Sequence, residues 1–306
     1  MNILTLHRQQ LDSAVEQLRR VVAAHNLTNA FNPSFAEISD LRFIAFRAQS
    51  FPEEKPFRAY VLRIARDGSQ ELTDLTERSG RLSIPKAADP KLVSLGAELY
   101  VTFNTGNVHQ GQNDIYLQRI HPTIGAAQRC DFPGRRMVEK NWGFFSTPGE
   151  ELRFIYSLSP MTLFRLAKGQ LGTDDELIFE PEVETETSGR FPRLHLGSQP
   201  LLLEDQRALV VANQQWPIPG LPRKIYFGRL AELDLHRGKV TRLSRRGLIH
   251  SWASMLPQRQ RHNPGLFSAT YFSGLTLVEG QPALSYGIND LSFGIATIAE
   301  QALWER

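Results

Sequence analysis

The sequence predicts an all-β fold, a five-bladed β-propeller with one N-terminal helix. One observation is a hairpin pattern, in which a polar start leads into an apolar strand, a turn and a second apolar strand. Another is that this pattern occurs five times along the 306 residues. The third is a companion apolar strand after each hairpin. Repeats of about 50 to 60 residues with about four strands each are typical of propeller blades.

The N-terminal helix is predicted over residues 11–24, where apolar side chains recur at helical spacing with charged residues between them. The apolar positions are Leu11, Val15, Leu18 and Val22. We expect the helix to pack against the propeller or to close its rim. We therefore assign residues 1–29 to this helix and residues 30–306 to a single propeller domain, since closed all-β folds of this length are common.

The clearest copy of the hairpin pattern is residues 137–160, which contains the polar triplet Glu139-Lys140-Asn141 before its first strand. The other copies span residues 32–47, 89–104, 196–213 and 272–286. The two strands of a hairpin are antiparallel, so the start of the first and the end of the second lie at the same end. Each copy is therefore expected to carry its polar residues at one end.

Four of the five companion strands carry an arginine, and the fifth reads Phe293-Gly-Ile-Ala-Thr297. The four arginines are Arg63, Arg119, Arg165 and Arg229. An outer strand is predicted over residues 70–76, after the hairpin turn at Asp67-Gly68. These strands complete the predicted four-stranded units.

Composition excludes several classes of protein. The chain has 35 basic and 32 acidic residues, and this small excess does not indicate a nucleic-acid partner. Its one cysteine, Cys130, excludes an intramolecular disulfide and a multi-cysteine zinc site. We find no metal-ligand or phosphate-loop motif, no signal peptide and no apolar run of membrane-spanning length. We expect a cytoplasmic protein without a metal or other cofactor, and the sequence leaves its oligomeric state open.

Polar residues at the repeated end of the hairpins should converge on one central pocket, because the innermost strands of a propeller surround its axis. The candidate residues are Asn32, Arg47, Asp89, Asn104, Glu139, Lys140, Asn141, His195, Gln199, Tyr286 and Asp290. Carboxylates, amides and basic groups are what sugar recognition and acid chemistry require. Asn-Pro and Asp-Pro dipeptides also begin turns, so a purely structural interpretation stays open.

Five motifs at these hairpins resemble the inner-strand motifs of five-bladed propeller carbohydrate enzymes. They are Asn32-Pro33-Ser34, Ala88-Asp89-Pro90-Lys91, Glu139-Lys140-Asn141-Trp142, Gly197-Ser198-Gln199-Pro200 and Ser285-Tyr286-Gly287-Ile288-Asn289-Asp290. Glycoside hydrolase families 43, 32, 68 and 130 share that fold, as do related glycosyltransferase-like propellers. The resemblance covers about residues 30–298. It implies a sugar, a sugar phosphate or a sugar nucleotide as the ligand.

The chain departs from that resemblance on the first blade, where the hydrolases carry a catalytic aspartate and this sequence has Asn32. An amide can be neither a base nor a nucleophile, and an inverting hydrolase needs two carboxyl groups. Glycosyl transfer and phosphorolysis tolerate the change better, because phosphate brings its own nucleophile. Arg47, Lys140 and His195 would bind the phosphate or diphosphate.

Within this hypothesis Glu139 is the leading acid/base candidate, and Asp89 and Asp290 complete the catalytic set. These three carboxylates and Lys140 are expected to line one cavity. Two alternatives remain. In the first, the protein is a hydrolase of the same fold that uses Asp40 or Glu37 in place of Asn32. In the second, it is a carbohydrate-binding propeller that has lost catalysis.

Overall fold

We describe the protein from a computed structural model of the 306-residue chain. The structure describes residues 2–50, 57–106, 112–147, 151–184, 194–203, 206–256, 262–263, 265–299 and 304. These residues form hydrogen-bonded sheets of four, eight and ten strands, which divide along the chain into five blades arranged around an axis. The predicted five-bladed propeller is confirmed.

The five blades follow one another along the chain. Blade one contains β2 (Leu27–Ile38), β3 (Leu41–Ser50), β4 (Arg58–Ala65) and β5 (Gln70–Asp74). Blade two contains β6 (Ala88–Leu95), β7 (Glu98–Asn104), β8 (Ile115–His121) and β9 (Ala127–Asp131). Blade three contains β10 (Gly143–Phe145), β11 (Arg153–Leu158), β12 (Met161–Lys168) and β13 (Leu177–Glu184).

Blade four has short inner and outer strands on either side of two long central ones. It contains β14 (Leu194–Leu196), β15 (Leu201–Leu202), β16 (Arg207–Pro217), β17 (Lys224–Asp234), β18 (Lys239–Leu243) and β19 (Arg246–Ile249). Blade five contains β20 (Leu266–Val278), β21 (Gln281–Ile288) and β22 (Ser292–Thr297). Successive long strands within each blade pair antiparallel, as the hairpin pattern predicts.

The N-terminal segment joins the last blades to the first. Strand β1 (Asn2–Thr5) pairs in parallel with β19 of blade four. The amide of Leu11 then donates to the carbonyl of Ile295 on β22 at 2.8 Å. Helix α1 (Asp12–Ala24) follows, and its apolar face packs in one core cluster with residues of blades one and five. The predicted helix therefore covers the seam where the propeller closes.

Two details of the predicted architecture are wrong. Residues 70–76 are not all strand, because β5 ends at Asp74 and a second helix, α2 (Leu75–Arg81), begins there. The Oδ1 atom of Asp74 accepts a 2.8 Å hydrogen bond from the amide of Glu77, which caps the helix. Blade five has three strands among the described residues instead of four. Neither described helix is long and apolar enough to cross a membrane.

The repeated arginines of the companion strands have a structural role in at least three blades. Arg63 pairs with Glu71 at 3.6 Å, a cross-strand ion pair on the blade surface. The other two pairs are Arg119 with Glu98 at 2.8 Å and Arg165 with Glu180 at 2.5 Å. Surface pairs of this kind contribute about 0–1 kcal/mol each. These arginines therefore identify the repeat along the sequence, but they do not identify the functional site.

A ring of side-chain hydrogen bonds joins each blade to the next around the axis. The bonds run from Leu92 N to Ser34 Oγ (2.9 Å), Lys91 Nζ to Asn141 Oδ1 (2.9 Å), Phe144 N to Gln199 Oε1 (2.7 Å), Asn213 Nδ2 to Phe272 O (2.9 Å) and Ser273 Oγ to Pro33 O (2.6 Å). Leaving such buried groups unpaired costs about 1–3 kcal/mol each. The ring therefore holds the inner strands in a fixed arrangement around the site.

Candidate functional site

Two adjoining cavities open where the inner strands carry their polar residues. The first, called the aspartate cavity, has a volume of about 260 Å³ and is lined by residues that include Asn32, Arg47, Asp89 and Asp290. The second, called the histidine cavity, has a volume of about 410 Å³ and is lined by residues that include Glu139, Asn141 and His195. Lys140, Tyr226 and Tyr271 line both. The expectation of a single cavity is therefore corrected to two cavities with a common wall.

Backbone bulges aim polar side chains into the aspartate cavity. The β2–β3 register shifts around Asn32, and the β6–β7 register shifts around Asp89. Both residues are left-handed, with φ of 49° and 51°. Asn and Asp adopt this conformation more readily than other residues with a Cβ, and a bulge re-aims a side chain. The prolines that follow, Pro33 and Pro90, are tolerated because a bulge does not need their missing N–H.

Asp89 is the ionised carboxylate of the aspartate cavity. Its Oδ1 accepts a 2.8 Å hydrogen bond from Arg47, and the two side chains are 26% and 18% exposed. Burial alone would raise the pKa of Asp89, but the charges of Arg47 and Lys140 hold it below its ordinary value. Lys91 and the side-chain amide of Asn104 act in the same direction.

Arg47 is fixed in place by two aromatic rings as well as by Asp89. Its guanidinium carbon lies 5.1 Å from the ring centroid of Phe31 and 5.4 Å from that of Phe57. Such cation–π contacts contribute about 0.5–2 kcal/mol each. Its Nε is buried and has no hydrogen-bond acceptor within the described ranges. The charge of Arg47 is therefore held at the cavity wall.

Asp290 is the second carboxyl group of the aspartate cavity, and its environment is the opposite of that of Asp89. It lies after β21 in a left-handed conformation with φ of 57°. Burial raises the pKa of Asp290, and the negative charge of Asp89 acts in the same direction against the influence of Arg47. The cavity thus contains one carboxyl group whose pKa is lowered and one whose pKa is raised.

Asn32 stands where the resemblance implies a catalytic aspartate. The residue is 8% exposed, and its Oδ1 is buried without a hydrogen-bond partner among the residues that the structure describes. Gly287 packs directly against it, and a Cβ at that position would overlap Oδ1 of Asn32. The amide cannot exchange a proton as a carboxyl group does, and its Oδ1 is packed against Gly287 without contact with solvent.

Lys91 is a buried lysine beneath the cavities that sequence reasoning quoted in a motif but did not select. Its Nζ donates to Oδ1 of Asn141 at 2.9 Å and to the carbonyl of Gly197 at 2.5 Å, and the residue is 3% exposed. Burial lowers the pKa of Lys91 to about 8, although Asp89 opposes the shift. Lys91 therefore links blades two, three and four at the axis.

Two tyrosines in the common wall were also missed. The rings of Tyr226 and Tyr271 lie 6.2 Å apart, and the hydroxyl of Tyr271 donates to Oδ1 of Asn141 at 3.3 Å. Burial raises the pKa of Tyr271, so its hydroxyl stays neutral. Tyr226 belongs to a companion strand that the sequence analysis used only to define the repeat. The sequence signal that could have identified it is an aromatic residue at the polar end of a companion strand.

Glu139 is held by the protein itself. Its Oε1 accepts hydrogen bonds from the amide of Arg136 at 2.5 Å and the hydroxyl of Tyr156 at 3.2 Å. Its Oε2 accepts one from the indole of Trp142 at 3.2 Å, and the residue is 2% exposed. The side-chain amide of Asn113 donates a hydrogen bond to the carbonyl of Glu139 and accepts one from the backbone N–H of Glu139. Both carboxylate oxygens of Glu139 thus already have partners, as in a carboxylate that organises a loop.

The remaining predicted site residues do not all face a cavity. His195 is exposed in the histidine cavity, where the surrounding protein and the charge of Lys224 lower the pKa of its imidazole. Asn104 is 3% exposed, and the hydrogen bond from its side chain to Asp89 helps to lower the pKa of Asp89. Gln199 is 4% exposed, and both ends of its amide bond the backbone of blade three.

Tyr286 lies in the core. It is fully buried, its ring packs 5.3 Å from that of Phe272, and its hydroxyl lies 3.3 Å from Nδ1 of His250. It lines neither the aspartate nor the histidine cavity. A direct contact between Tyr286 and a ligand would require the core of blade five to open.

Glu37 and Asp40, the alternative carboxylates of a hydrolase, lie at the far end of blade one. Glu37 is five residues beyond Asn32 on the same strand, which is about 17 Å away at the usual rise. Glu37 pairs with Arg42 at 2.8 Å, and Asp40 lies 3.5 Å from Arg66. Neither residue lines an axial cavity. Among the described residues, no group of three or more His, Cys, Asp or Glu could hold a metal ion.

Comparisons with known proteins agree on the fold. The sequence matches no protein-family model and no curated protein. A glycosyl hydrolase from Bacteroides ovatus is 12% identical and has a TM-score of 0.63, with 90% of this chain and 85% of that one covered. The β-1,2-mannobiose phosphorylase from Listeria innocua, solved with β-1,2-mannobiose, is 12% identical and has a TM-score of 0.58, with 90% and 91% covered.

A hypothetical protein from Leishmania major also shares the architecture. It is 14% identical and has a TM-score of 0.55, with 90% of this chain and 86% of that one covered. At such identities the likeness shows the propeller fold alone, because one fold supports many activities. The function must therefore be argued from the cavities.

Proposed function

We propose that this protein is a carbohydrate-active enzyme that transfers a glycosyl unit to phosphate or to an acceptor hydroxyl in the axial cavities. The observation that carries the proposal is the pair Asp89 and Asp290. They line one cavity, and their surroundings shift their pKa values in opposite directions. Such a separation is the usual arrangement for dividing acid and charge-stabilising roles between two carboxyl groups.

Asp290 is the proposed general acid. Its burial favours the protonated form, which can give a proton to the oxygen that leaves the sugar. This assignment moves the acid role away from Glu139, whose two oxygens already accept three hydrogen bonds inside the protein. Asp89 stays ionised, and we assign to it the binding of sugar hydroxyls and the orientation of Arg47.

Positive charge beside these carboxyl groups favours an anionic co-substrate. Arg47 and Lys140 line the aspartate cavity. Lys86 lies close to both: burial lowers the pKa of Lys86, and the charges of Arg47 and Lys140 lower it further. A phosphate bound there would attack the anomeric carbon while the bond to the leaving oxygen breaks. Asp290 would protonate that oxygen and recover a proton from the phosphate. The products are a sugar 1-phosphate and the shortened saccharide.

The two cavities suggest where the parts of the substrate lie. The transferred sugar would occupy the aspartate cavity, and the leaving or accepting group would occupy the histidine cavity. Lys140, Tyr226 and Tyr271, which line both, would surround the bond between them. Sugar rings stack on aromatic faces and accept hydrogen bonds from neutral tyrosine hydroxyls. His195 would then contact the leaving or accepting group.

Hydrolysis is the weaker alternative, because Asp89, the carboxylate that lines the cavity beside Asp290, is already paired with Arg47. Asn32 occupies the first-blade position, and Glu37 and Asp40 are paired with arginines at the other end of the blade. A binding protein without catalysis would not need carboxyl groups with opposite pKa shifts.

The test is a panel of oligosaccharides, with mannosides included, incubated with the protein in phosphate buffer and in phosphate-free buffer. We expect a sugar 1-phosphate to form only when phosphate is present. Activated sugar donors with acceptor saccharides form a second arm, in which a new glycoside is the expected product. Release of free sugar at equal rates in both buffers would reject transfer and identify a hydrolase.

Variants separate the enzyme from a binding protein. Asp290→Asn should abolish turnover and keep saccharide affinity, whereas Glu279→Gln, an exposed carboxylate in the β20–β21 turn, should change neither. Glu139→Gln tests the earlier assignment of the acid. If Glu139→Gln removes turnover and Asp290→Asn does not, the acid is Glu139. Saturable binding without turnover in any arm would identify a binding protein.

A further inference from the structure

A separate cavity lies between blades one and two. Its volume is about 300 Å³, and it is lined by strands β3, β4 and β5, by helix α2, by the end of β8 and by the segment after β8. It shares no lining residue with the aspartate or histidine cavity. The proposed glycosyl transfer therefore gives this cavity no role.

The floor of this cavity is apolar. It is formed by Phe43, Val61, Leu75 and Ile120, which are 1%, 5%, 1% and 8% exposed. All four belong to one core cluster, so their positions are fixed by packing on the other side. His121 packs against Phe43 with ring centroids 5.7 Å apart and also lines the cavity. The floor can therefore accept a compact apolar group without rearrangement.

The rim of the cavity carries one uncompensated positive charge. Arg63 and Glu71 face each other at 3.6 Å and neutralise one another. Arg78, on helix α2, also lines the cavity. Its Nε is buried without a hydrogen-bond partner, and no carboxylate pairs with it in the parts of the chain that the structure describes. Because Nε is closed off from solvent, an anion in the cavity would be bound by the terminal guanidinium nitrogens of Arg78.

We infer that this cavity binds a small monocarboxylate with a ring-sized apolar body. The carboxylate would accept hydrogen bonds from Arg78, whose planar guanidinium matches two carboxylate oxygens. The apolar body would lie on Phe43 and Leu75. A neutral ligand of the same shape would leave the arginine without a partner, and a dianion would exceed the single free charge.

Phenylacetate is a suitable probe, with phenylacetamide as its neutral isostere. Methyl-labelled NMR spectra of the full chain are recorded during a titration with each compound. We expect saturable shifts at the methyl groups of Val61, Leu75 and Ile120 with phenylacetate. Phenylacetamide should bind at least about tenfold more weakly, the loss expected for hydrogen bonds to a charged group.

The matched variants lie on the same helix. Arg78→Met should weaken phenylacetate binding at least about tenfold, while Arg81→Met, whose side chain is 71% exposed and pairs with Glu77, should leave it unchanged. If Arg78→Met does not fold, Arg78→Gln replaces it, with the same loss expected. Equal binding of both compounds, unchanged binding by the Arg78 variant, shifts confined to other methyl groups, or no shifts at all would each overturn the inference.

Discussion

Replacing Lys91 with methionine should remove a pH dependence of stability that the wild-type protein shows between about pH 7 and pH 9.5. Lys91 is 3% exposed, and burial lowers its pKa from the ordinary 10.5 to about 8. Between those values the unfolded chain holds a proton that the folded protein has released. The contribution of Lys91 to the free energy of unfolding therefore rises with pH in that window.

The magnitude follows from the two pKa values of Lys91. A full difference between 10.5 and about 8 corresponds to about 3 kcal/mol, because one pKa unit is worth about 1.4 kcal/mol. Not all of it develops by pH 9.5, where the unfolded chain is still mostly protonated. We expect the free energy of unfolding of wild type to gain about 2 kcal/mol relative to Lys91→Met between about pH 7 and pH 9.5.

Urea unfolding at several pH values measures this difference. Subtracting the variant from wild type cancels the titration of other groups, including the buried tyrosines. Lys239→Met, at an exposed position on β18, is the matched control and should follow wild type at every pH. A difference between wild type and Lys91→Met that stays constant across the window, or that shrinks with rising pH, would refute the reasoning. It would mean that Lys91 titrates as an accessible lysine does.

Three further predictions test the contacts between blades and the candidate site. Asn213→Leu removes both hydrogen bonds to the backbone of Phe272, so we expect urea unfolding to show a loss of about 2–5 kcal/mol. Gly287→Ala places a methyl group against Oδ1 of Asn32 and should lower both the melting temperature and saccharide affinity. Turnover should fall as pH rises through the raised pKa of Asp290, because the proposed acid then loses its proton; a pH–rate profile measures this.

Matched variants make these outcomes interpretable. Gln215→Leu, two residues along the same strand and only partly buried, should cost far less than Asn213→Leu. Gly80→Ala meets no atom within 4 Å and lies in helix α2, so it should not destabilise the protein. Equal losses within either pair would contradict the packing argument. A rate that rises with pH through the same range would argue against a protonated acid.

The blades could be predicted from the sequence because every hairpin repeats a local signal. Apolar alternation, turn residues and the spaced arginines all lie within short segments, so no long-range contact is needed to detect them. Helix α2 was missed because residues 70–76 were assigned as one strand. The pattern of Asp74 followed three residues later by Glu77 is a helix-start signal, and the hydrogen bond between them confirms it.

The site was only partly predictable, because one kind of side chain serves two purposes. Asn213 and Gln199 are amides at the polar ends of strands, as Asn32 is, yet they bond the backbone of neighbouring blades. An amide that binds a sugar and one that holds a strand have the same donors and acceptors. Tyr271 was missed because its position in the common wall depends on contacts between blades.

The protonation pattern of the aspartate cavity follows from where the blades place positive charge. Arg47, Lys140 and Lys91 all act on Asp89, whereas at Asp290 burial outweighs the charge of Arg47 and the charge of Asp89 adds to the effect of burial. An anion bound between Arg47 and Lys140 would add a negative charge near Asp290 and would raise its pKa further. The proposed acid would therefore be most firmly protonated when the phosphate is bound, which is the state in which a leaving oxygen needs its proton.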